Sequence, residues 1–475
     1  MNIPPLVIDL DGTLLRSDLL LESSLAFCRS QPSRLLSQFK WLIFGKAHLK
    51  EQLAQAIPLD VANLPFDTQV LAFIEEEKSK GRQIILATAS HKIYADQIAT
   101  HLNPFDHVFA TDGKINLSAF AKRDLLVNKF GQQGFDYAGN SHDDLPVLAA
   151  ARHAYLVNPE RGVQAKAQSH GNIERVIKSN SSSLKTWARA LRLHQWLKNV
   201  LIFAPLLASH QMTNLSLLAH SLLTFLLFGL CASSVYLLND LLDLSDDRHH
   251  RTKRHRPFAS GQLSIKSGLF AFPFLLFLAF IGGGCLLPWK FSVALGVYFA
   301  LTLMYSFVLK RRMVADVIAL AMLYTLRIIA GVFACNLTLT FWMLAFSMFV
   351  FLSLALVKRY AELLQNAQNK DKLEKTRGRG YCPNDLVMIL SLGAASGYLS
   401  VMVLALYIQD QSIISLYKHP KMIWLACPLL LYWISRTWLL THRGQMHDDP
   451  VVFAMKDRIS LLVASLFGAI FWLAI

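Results

Sequence analysis

The chain has few cysteines and few acidic residues, and each shortage excludes a class of protein. The cysteines form no CxxC pair and no metal-ligand spacing, so we expect reduced packing residues rather than disulfides or a thiolate metal site. No signal peptide precedes the first apolar run, which predicts that the first domain stays in the cytosol. The sequence also lacks an internal repeat, and its one low-complexity tract is a short serine run.

The shortage of acidic residues leaves the chain strongly basic. Lys and Arg number 47 against 32 Asp and Glu, which gives a net charge of +15. Such a balance can indicate nucleic acid binding. It is also expected in a membrane protein, whose cytoplasmic loops are rich in Lys and Arg. Because 53% of the residues are hydrophobic and the mean hydropathy is +0.36, we favour the membrane and exclude nucleic acid as a partner.

Apolar residues are distributed unevenly along the 475 residues. Up to about Ser183 short apolar runs alternate with polar segments, as in a soluble α/β domain. From Trp196 onward long apolar stretches dominate. We therefore predict several domains: a soluble domain at 1–178, a serine-rich linker at 179–186 and an all-α polytopic membrane bundle at 187–475.

The membrane segment contains nine candidate spans. With the N-terminus inside, the inside loops hold 18 Lys and Arg residues and the outside connections hold three. This asymmetry predicts one orientation, that of a multi-pass protein of a bacterial cytoplasmic (inner) membrane with its N-terminal domain in the cytosol. The predicted spans are 197–213, 215–238, 267–287, 290–309, 314–334, 339–357, 384–408, 421–440 and 451–474.

An acidic run, Asn239-Asp240-Leu241-Leu242-Asp243-Leu244-Ser245-Asp246-Asp247, follows the second of these spans. A continuing helix would stack Asp240, Asp243 and Asp247 on one face. Their mutual repulsion calls for a divalent cation, and carboxylates suit Mg²⁺, which usually also takes phosphate oxygens from a substrate. The next segment is basic, with Lys253 and Arg256 among five cations. This pattern predicts a diphosphate site; the alternative is a solvated charged loop.

The soluble segment has polar residues at the ends of its predicted strands. Leu6-Val7-Ile8 leads to Asp9-Leu10-Asp11-Gly12-Thr13, and a second strand from Ile84 leads to Thr88. Lys122 lies in a helix-like segment, and a third strand at Phe135–Ala138 leads to Gly139-Asn140-Ser141-His142-Asp143-Asp144. Carboxyl ends of parallel strands form the crevice where open α/β sheets bind ligands.

These four pieces resemble the haloacid dehalogenase superfamily of phosphohydrolases over about residues 5–160. The resemblance implies a Rossmann-like parallel sheet with a helical cap at about 16–80. It also implies that Asp9 is the nucleophile, Asp11 the general acid/base, and Thr88 and Lys122 the phosphate binders. Asp144 resembles a Mg²⁺ ligand, in a metal set that also takes in Asp9, Asp11 and Asn140. Asn140 stands where the family usually has an acidic residue, so a catalytically inactive scaffold is the alternative.

Several ionisable residues lie in or beside the predicted spans. Arg327 is inside one, where a charge is costly unless it faces a polar cavity. Asp316 precedes it by about three helical turns, which places both on one face. These residues predict a polar chamber, although a structural role for both is the alternative.

Residues 187–475 resemble the UbiA superfamily of intramembrane prenyltransferases, in which two Asp-rich motifs hold Mg²⁺ and a diphosphate. The first motif is NDLLDLSDD, but YSFVLKRRMVAD (305–316) replaces the usual second one. Together with His447-Asp448-Asp449-Pro450, this is similar to the branch of decaprenyl-phosphate phosphoribosyltransferases. The resemblance implies Asp240, Asp243, Asp247 and Asp316 as catalytic residues. It implies a substrate-binding set of Lys198, Asn199, Asn239, Lys253, Arg256, Tyr305, Lys310, Arg327, Lys358 and Glu362.

The function implied is Mg²⁺-dependent transfer between a polyprenyl phosphate and phosphoribosyl diphosphate, which releases diphosphate. The phosphatase-like domain would then remove the 5-phosphate from the lipid-linked ribose. Two alternatives stay open: an aromatic prenyltransferase that uses a prenyl diphosphate, and a non-catalytic lipid transporter or scaffold.

Overall fold

The computed structural model describes residues 3–113, 115–179, 183–368, 380–410, 417–446 and 449–474. Most of the predicted serine linker, part of the basic loop after Lys358, and His447 with Asp448 lie outside these ranges. The chain forms two compact units. The first holds the residues up to Leu191 together with Tyr236–Pro273, and the second holds Arg192–Val235 and the residues from Phe274 onward.

A parallel six-stranded sheet organises the first unit, in the order β3-β2-β1-β4-β5-β6. The central strands are short, apolar and fully buried, as expected where both faces of a parallel sheet are covered. The predicted strands at Leu6, Ile84 and Phe135 are confirmed. The strands are β1 (Leu6–Ile8), β2 (Ile84–His91), β3 (His107–Thr111), β4 (Asp136–Gly139), β5 (Ala154–Val157) and β6 (Ile173–Ile177).

Helices cover both faces of this sheet and form the predicted cap, which is confirmed as helical. Asp18 and Asp67 cap two of them, since each side chain accepts a hydrogen bond from a first-turn backbone N–H. The helices are α1 (Leu19–Ser30), α2 (Leu35–Ile43), α3 (Lys46–Ala56), α4 (Thr68–Ser79), α5 (Lys92–Leu102), α6 (Ala119–Phe130), α7 (Leu145–Ala150), α8 (Val163–Gln168) and α9 (Leu184–Ala190).

The described residues from Leu193 onward are mainly helical, as predicted. A 3-10 helix at Leu193–Phe203 precedes α10 (Ala204–Ala208), α11 (Leu215–Leu242), α12 (Leu244–His249), α13 (Ile265–Leu286), α14 (Trp289–Phe307), α15 (Ala315–Ala334), α16 (Phe341–Gln368), α17 (Leu386–Gln409), α18 (Ala426–His442), α19 (Pro450–Lys456) and α20 (Arg458–Ala474). In the second unit α16, α17 and α18 pack closely, and a Cβ on Gly393 would lie 2.0 Å from the Trp438 ring.

Seven helices in the described part of the chain are long and apolar enough to cross a membrane. Counting α19 and α20, which meet at 82°, as one broken span gives eight. The first predicted span, 197–213, is not among these helices, because its residues form shorter helices. Pro205 lies in the first turn of the short α10, and the preceding 3-10 helix buries the polar residues Lys198 and Asn199.

Candidate active sites

Asp9 and Lys122 form the centre of a buried polar cluster at the carboxyl end of β1. Lys122 on α6 places its Nζ atom 2.7 Å from Asp9 Oδ1 and 3.3 Å from Asp144 Oδ1. Burial raises the pKa of Asp9 to about 7, although Lys122 opposes the shift. Burial also opposes the charge of Lys122, but Asp9 and Asp144 outweigh it and raise the pKa of the ammonium group. The predicted nucleophile and phosphate-binding lysine are thus in contact.

Asp11 lies next to this pair, and the first turn of the cap holds its carboxylate. Its Oδ1 accepts a hydrogen bond from the Leu19 backbone N–H at 2.8 Å, and its Oδ2 accepts one from the Ser90 hydroxyl at 2.6 Å. Burial raises the pKa of Asp11 to about 6, which suits a group that exchanges protons near neutral pH. Thr88 is fully buried, and its Oγ1 accepts from the Ser90 backbone N–H at 2.9 Å.

Asp144 is engaged on both of its carboxylate oxygens. Oδ2 accepts from the backbone N–H groups of Asn140 and Ser141 and from the Ser141 hydroxyl, and Oδ1 accepts from the Tyr137 hydroxyl at 2.6 Å. In this geometry Asp144 orients Lys122.

Asn140 and Asp9 present oxygens on either side of Thr13. The Thr13 hydroxyl lies 3.4 Å from Asn140 Oδ1 and 3.5 Å from Asp9 Oδ2. Gly12 makes room for Asn140, because a Cβ there would lie 2.2 Å from the Asn140 amide nitrogen. The described residues hold no cluster of three or more Asp, Glu, His or Cys residues arranged for a metal. The oxygens of Asp9, Asp11, Asn140 and Asp144 are nevertheless hard donors that fit Mg²⁺, so this predicted metal set stays a prediction.

The acidic run forms a second candidate site, in which the helix does not continue straight. α11 ends at Leu242, and α12 begins at Leu244. Asp240 and Asp247 are buried, and both carboxylates contact Arg256 Nη1, at 3.0 and 2.7 Å. Asp243 instead contacts Arg29 at 2.5 Å. The three carboxylates therefore do not share one partner, as a continuous helix would have allowed.

Arg256 occupies the position of a cation between two carboxylates. Burial raises the pKa of Asp247 to about 6 even though Arg256 lowers it. Two carboxylates with phosphate oxygens are the usual protein environment of Mg²⁺, so the donor set fits that ion. Lys253, three residues before Arg256 in the sequence, is exposed to solvent. Asn239 is half-buried in the last turn of α11. Arg248, another of the five cations in the basic segment, pairs with Glu22 at 2.5 Å.

In the second unit, two predicted lysines converge on Asp449. Its Oδ2 lies 2.7 Å from Lys198 Nζ and 3.2 Å from Lys358 Nζ. The Tyr324 hydroxyl donates to its Oδ1 at 2.9 Å. The two lysine side chains supply hydrogen-bond donors that are suited to binding an anion.

Arg327 lies among polar and aromatic groups, as a buried charge requires. Its Nε donates to Asn199 Oδ1 at 3.1 Å and its Nη2 to the Tyr298 hydroxyl at 3.3 Å. Its guanidinium carbon lies 5.2 to 5.5 Å from the ring centres of Tyr298, Phe228 and Tyr324, where cation–π attraction is favourable.

Asp316 has different partners from Arg327, although the two lie on one helix. Its Oδ2 lies 2.7 Å from Arg359 Nε, and its Oδ1 accepts from the Tyr381 hydroxyl at 2.6 Å. Arg359 also pairs with Glu362 and donates to the Tyr305 hydroxyl at 3.3 Å. Lys310 lies in the 3-10 turn after α14 and is half-buried.

Sequence reasoning did not assign roles to Asp449, Tyr324, Arg359 or Tyr381. The sequence signal for Asp449 was its place in the motif at 447–450, and that for Arg359 was its position next to Lys358. Tyr324 and Tyr381 carried no signal, because their contacts join residues distant in the sequence.

Two known families match different parts of the chain. Residues 200–466 match the UbiA prenyltransferase family, and residues 6–149 match the haloacid dehalogenase-like hydrolases. The chain belongs to the UbiA prenyltransferase family, and a haloacid dehalogenase-like hydrolase domain precedes the part that matches it. The candidate spans and the family identify an integral membrane protein.

Three relatives show how far the similarity extends. The protein y4nM of Sinorhizobium fredii is 38% identical over 99% of this chain and 91% of its own length. Nodulation protein NoeC of Azorhizobium caulinodans is 37% identical over 58% of this chain and 89% of its own. Decaprenyl-phosphate phosphoribosyltransferase of Mycobacterium tuberculosis is 35% identical over 37% of this chain and 59% of its own. The first relative therefore spans both domains.

Proposed function

We propose that this protein transfers the phosphoribosyl group of phosphoribosyl diphosphate to a polyprenyl phosphate. The convergence of Asp240 and Asp247 on Arg256 carries this proposal, because it combines carboxylates for a metal with a cation for a phosphate. Similarity to the enzyme from Mycobacterium tuberculosis supports the choice of substrates. We further propose that the phosphatase domain removes the 5-phosphate from the product.

In the transfer step a lipid phosphate oxygen forms a bond to C1 of the ribose, and the bond from C1 to the diphosphate oxygen breaks. Mg²⁺ held by Asp240, Asp243 and Asp247 would neutralise the charge that develops on the departing diphosphate. Arg256 and Lys253 add positive charge for the same oxygens. In the second unit, Lys198 and Lys358 beside Asp449 offer ammonium groups that suit a phosphate anion. The ion pair between Asp316 and Arg359 would hold the Arg359 guanidinium in place. Since that group donates a hydrogen bond to the Tyr305 hydroxyl, it would also fix the position of Tyr305.

In the phosphatase step Asp9 attacks the 5-phosphate, and the bond from phosphorus to the ribose 5-oxygen breaks. Asp11 donates a proton to that oxygen, and then accepts one from the water that hydrolyses the aspartyl phosphate. Lys122 and Thr88 bind the phosphate oxygens. A metal at Asp9, Asp11 and Asn140 would neutralise phosphate charge during the attack.

We place both steps on the cytosolic side of a bacterial inner membrane. The 18 to three distribution of Lys and Arg among the predicted loops supports this orientation. A water-soluble donor and a lipid acceptor would both have access there.

An aromatic prenyltransferase is the second candidate, and membership of the UbiA family favours it. A direct assay separates the two. Purified protein is incubated with ribose-labelled phosphoribosyl diphosphate, polyprenyl phosphate and Mg²⁺, and the lipid is extracted. We expect label in the lipid. Absence of label, together with transfer from a prenyl diphosphate to an aromatic acid, would instead establish the second candidate; no turnover with either donor would favour a transporter or scaffold.

A further inference from the structure

Helix α1 of the cap joins the phosphatase site to the acidic run within the first unit. At its first turn the Leu19 backbone N–H donates to Asp11 Oδ1 at 2.8 Å. At its last turn Arg29 contacts Asp243 Oδ1 at 2.5 Å, Asp246 Oδ2 at 2.6 Å and the Leu242 carbonyl oxygen at 3.1 Å. A helix of 12 residues is about 18 Å long. One rigid element therefore has a candidate catalytic carboxylate at each end.

A second contact anchors the first turn of α1. Glu22 receives both terminal nitrogens of Arg248, at 2.8 and 2.5 Å, and Arg248 Nε donates to the Ala259 carbonyl oxygen at 3.1 Å. The side chains of Glu22 and Arg248 are 10% and 7% exposed, whereas those of Arg29 and Asp243 are 25% and 27% exposed. Breaking a buried pair costs more than breaking a solvated one. The Arg29–Asp243 ion pair can therefore break while the Arg248–Glu22 pair stays formed.

We infer that Arg29 is a tethered counter-cation that competes with the divalent metal for Asp243. Without metal and diphosphate, the guanidinium group neutralises Asp243 and holds the end of α1 against the acidic run. When metal and diphosphate bind, Asp243 turns to the metal and Arg29 is released, which loosens the last turn of α1. This inference rests on the metal assignment of the proposed function.

The coupling operates in both directions. Any contact that stabilises the docked end of α1 weakens metal binding, and metal binding weakens the docked end by the same factor. The Glu22–Arg248 pair holds the first turn of α1, where the Leu19 backbone N–H binds Asp11. Release of Arg29 therefore loosens the last turn of α1 and leaves Asp11 held.

Metal binding can be measured without turnover. Full-length protein in detergent is titrated with Mn²⁺ in the presence of inorganic diphosphate, and free Mn²⁺ is followed by electron paramagnetic resonance. The Mn²⁺ binding that is present in the wild type and absent in Asp240→Asn is assigned to the acidic run. We expect Arg29→Gln to tighten that binding about threefold to fivefold, the range for release of a solvated ion pair. Arg29→Lys should stay near wild type.

Arg34→Gln is the matched control, because Arg34 is an exposed cap residue that hydrogen-bonds to Gln31. It should leave Mn²⁺ affinity unchanged. Hydrogen exchange on the wild-type protein gives a readout that needs no variant. Adding Mn²⁺ and diphosphate should speed exchange in the last turn of α1 and leave the first turn of α4 unchanged.

The outcomes separate two failures. If Asp240→Asn keeps all Mn²⁺ binding, the metal assignment of the proposed function is wrong. If Asp240→Asn removes it but Arg29→Gln binds Mn²⁺ as wild type does or more weakly, the metal site stands and the competition is refuted. Unchanged exchange in α1 on loading the wild type would refute it as well.

Discussion

Asp240 and Asp246 belong to the same acidic run, but their surroundings differ. The Asp240 side chain is 2% exposed and contacts Arg256, whereas that of Asp246 is 70% exposed and contacts Arg29. We expect Asp240→Asn to lower transfer by about 100-fold or more, because charge at the metal is lost where diphosphate charge develops. Asp243→Asn should also abolish transfer.

Asp246→Asn is the control for this prediction. It also removes one carboxylate charge from the run, yet it should keep most of the transferase activity. Membrane insertion and thermal stability should match wild type in all three variants. An equal loss of transferase activity in Asp240→Asn and Asp246→Asn would show that activity depends on the net charge of the acidic run, and it would contradict the metal site.

Asn140 offers a second test at the scale of one residue. Its side-chain oxygen lies beside Thr13 and close to Asp9, where an acidic residue would bring a further charge to the metal. We expect Asn140→Asp to lower the Mg²⁺ concentration for half-maximal phosphatase activity by about tenfold, since hard cations favour charged oxygens. The transferase should not change. A higher Mg²⁺ requirement would remove Asn140 from the metal set.

Individual residues also show what the sequence could and could not predict. The DxDGT motif and Lys122 identified a pair that the structure joins at 2.7 Å, because the family motif specifies that chemistry. The acidic spacing did not predict that Asp243 would pair with Arg29, a contact across more than 200 positions. Arg359 and Tyr381 received no role, because each contacts Asp316 from more than 40 positions away in the sequence.

At the scale of elements, an ion-pair network ties the amino ends of the sheet strands together. Asp136 at the start of β4 contacts Arg82, just before β2, and lies 2.9 Å from Arg152. Arg82 Nε also donates to the Pro4 carbonyl oxygen at 2.7 Å, just before β1. Burial raises the pKa of Asp136, but hydrogen bonds from Arg152 and Arg82 outweigh it and lower the pKa below its usual value.

This network predicts a loss of stability when Asp136 loses its charge. Asp136→Asn should destabilise the sheet by about 3 kcal/mol, because the buried Arg82 loses one of its two acidic partners and keeps only Glu77. Hydrogen exchange of β1 and β4 measures this. Since the pKa is lowered on folding, the stabilisation is present above the unfolded pKa and is lost as pH falls below about 4. Asp124→Asn, at an exposed ion pair, should have no such effect; equal exchange in both variants would contradict the account.

Element boundaries show the limits of hydropathy. The apolar run at 197–213 resembled a span by composition, but Pro205 and the buried polar pair Lys198 and Asn199 gave a 3-10 helix and a short α-helix. The other eight predicted spans coincide with helices, but α16 continues to Gln368, beyond the predicted end at 357, and the last span is broken between α19 and α20. A hydropathy average measures the apolar content of a segment. It does not show which polar side chains are buried or where a helix is interrupted.

At the scale of the whole molecule, the loop charges predict a single orientation. A reporter fused after Lys310, which follows α14, should be cytoplasmic. A reporter near Asn336, which follows α15, should be external, because α15 is a candidate span. Accessibility to a membrane-impermeant thiol reagent provides the measurement. Reversed labelling would contradict both the orientation and a cytosolic phosphatase domain.

The central claim is that one chain makes a phosphorylated lipid-linked ribose and then removes its 5-phosphate. The direct measurement uses phosphoribosyl diphosphate with one label in the ribose and another in the 5-phosphate, and compares wild type with Asp9→Asn. Both proteins should transfer the ribose label to lipid at similar rates. The wild-type lipid should lose the phosphate label, and the Asp9→Asn lipid should retain it. If both lipids retain the phosphate label, or both lose it equally, the phosphatase domain does not act on this product and the claim is wrong.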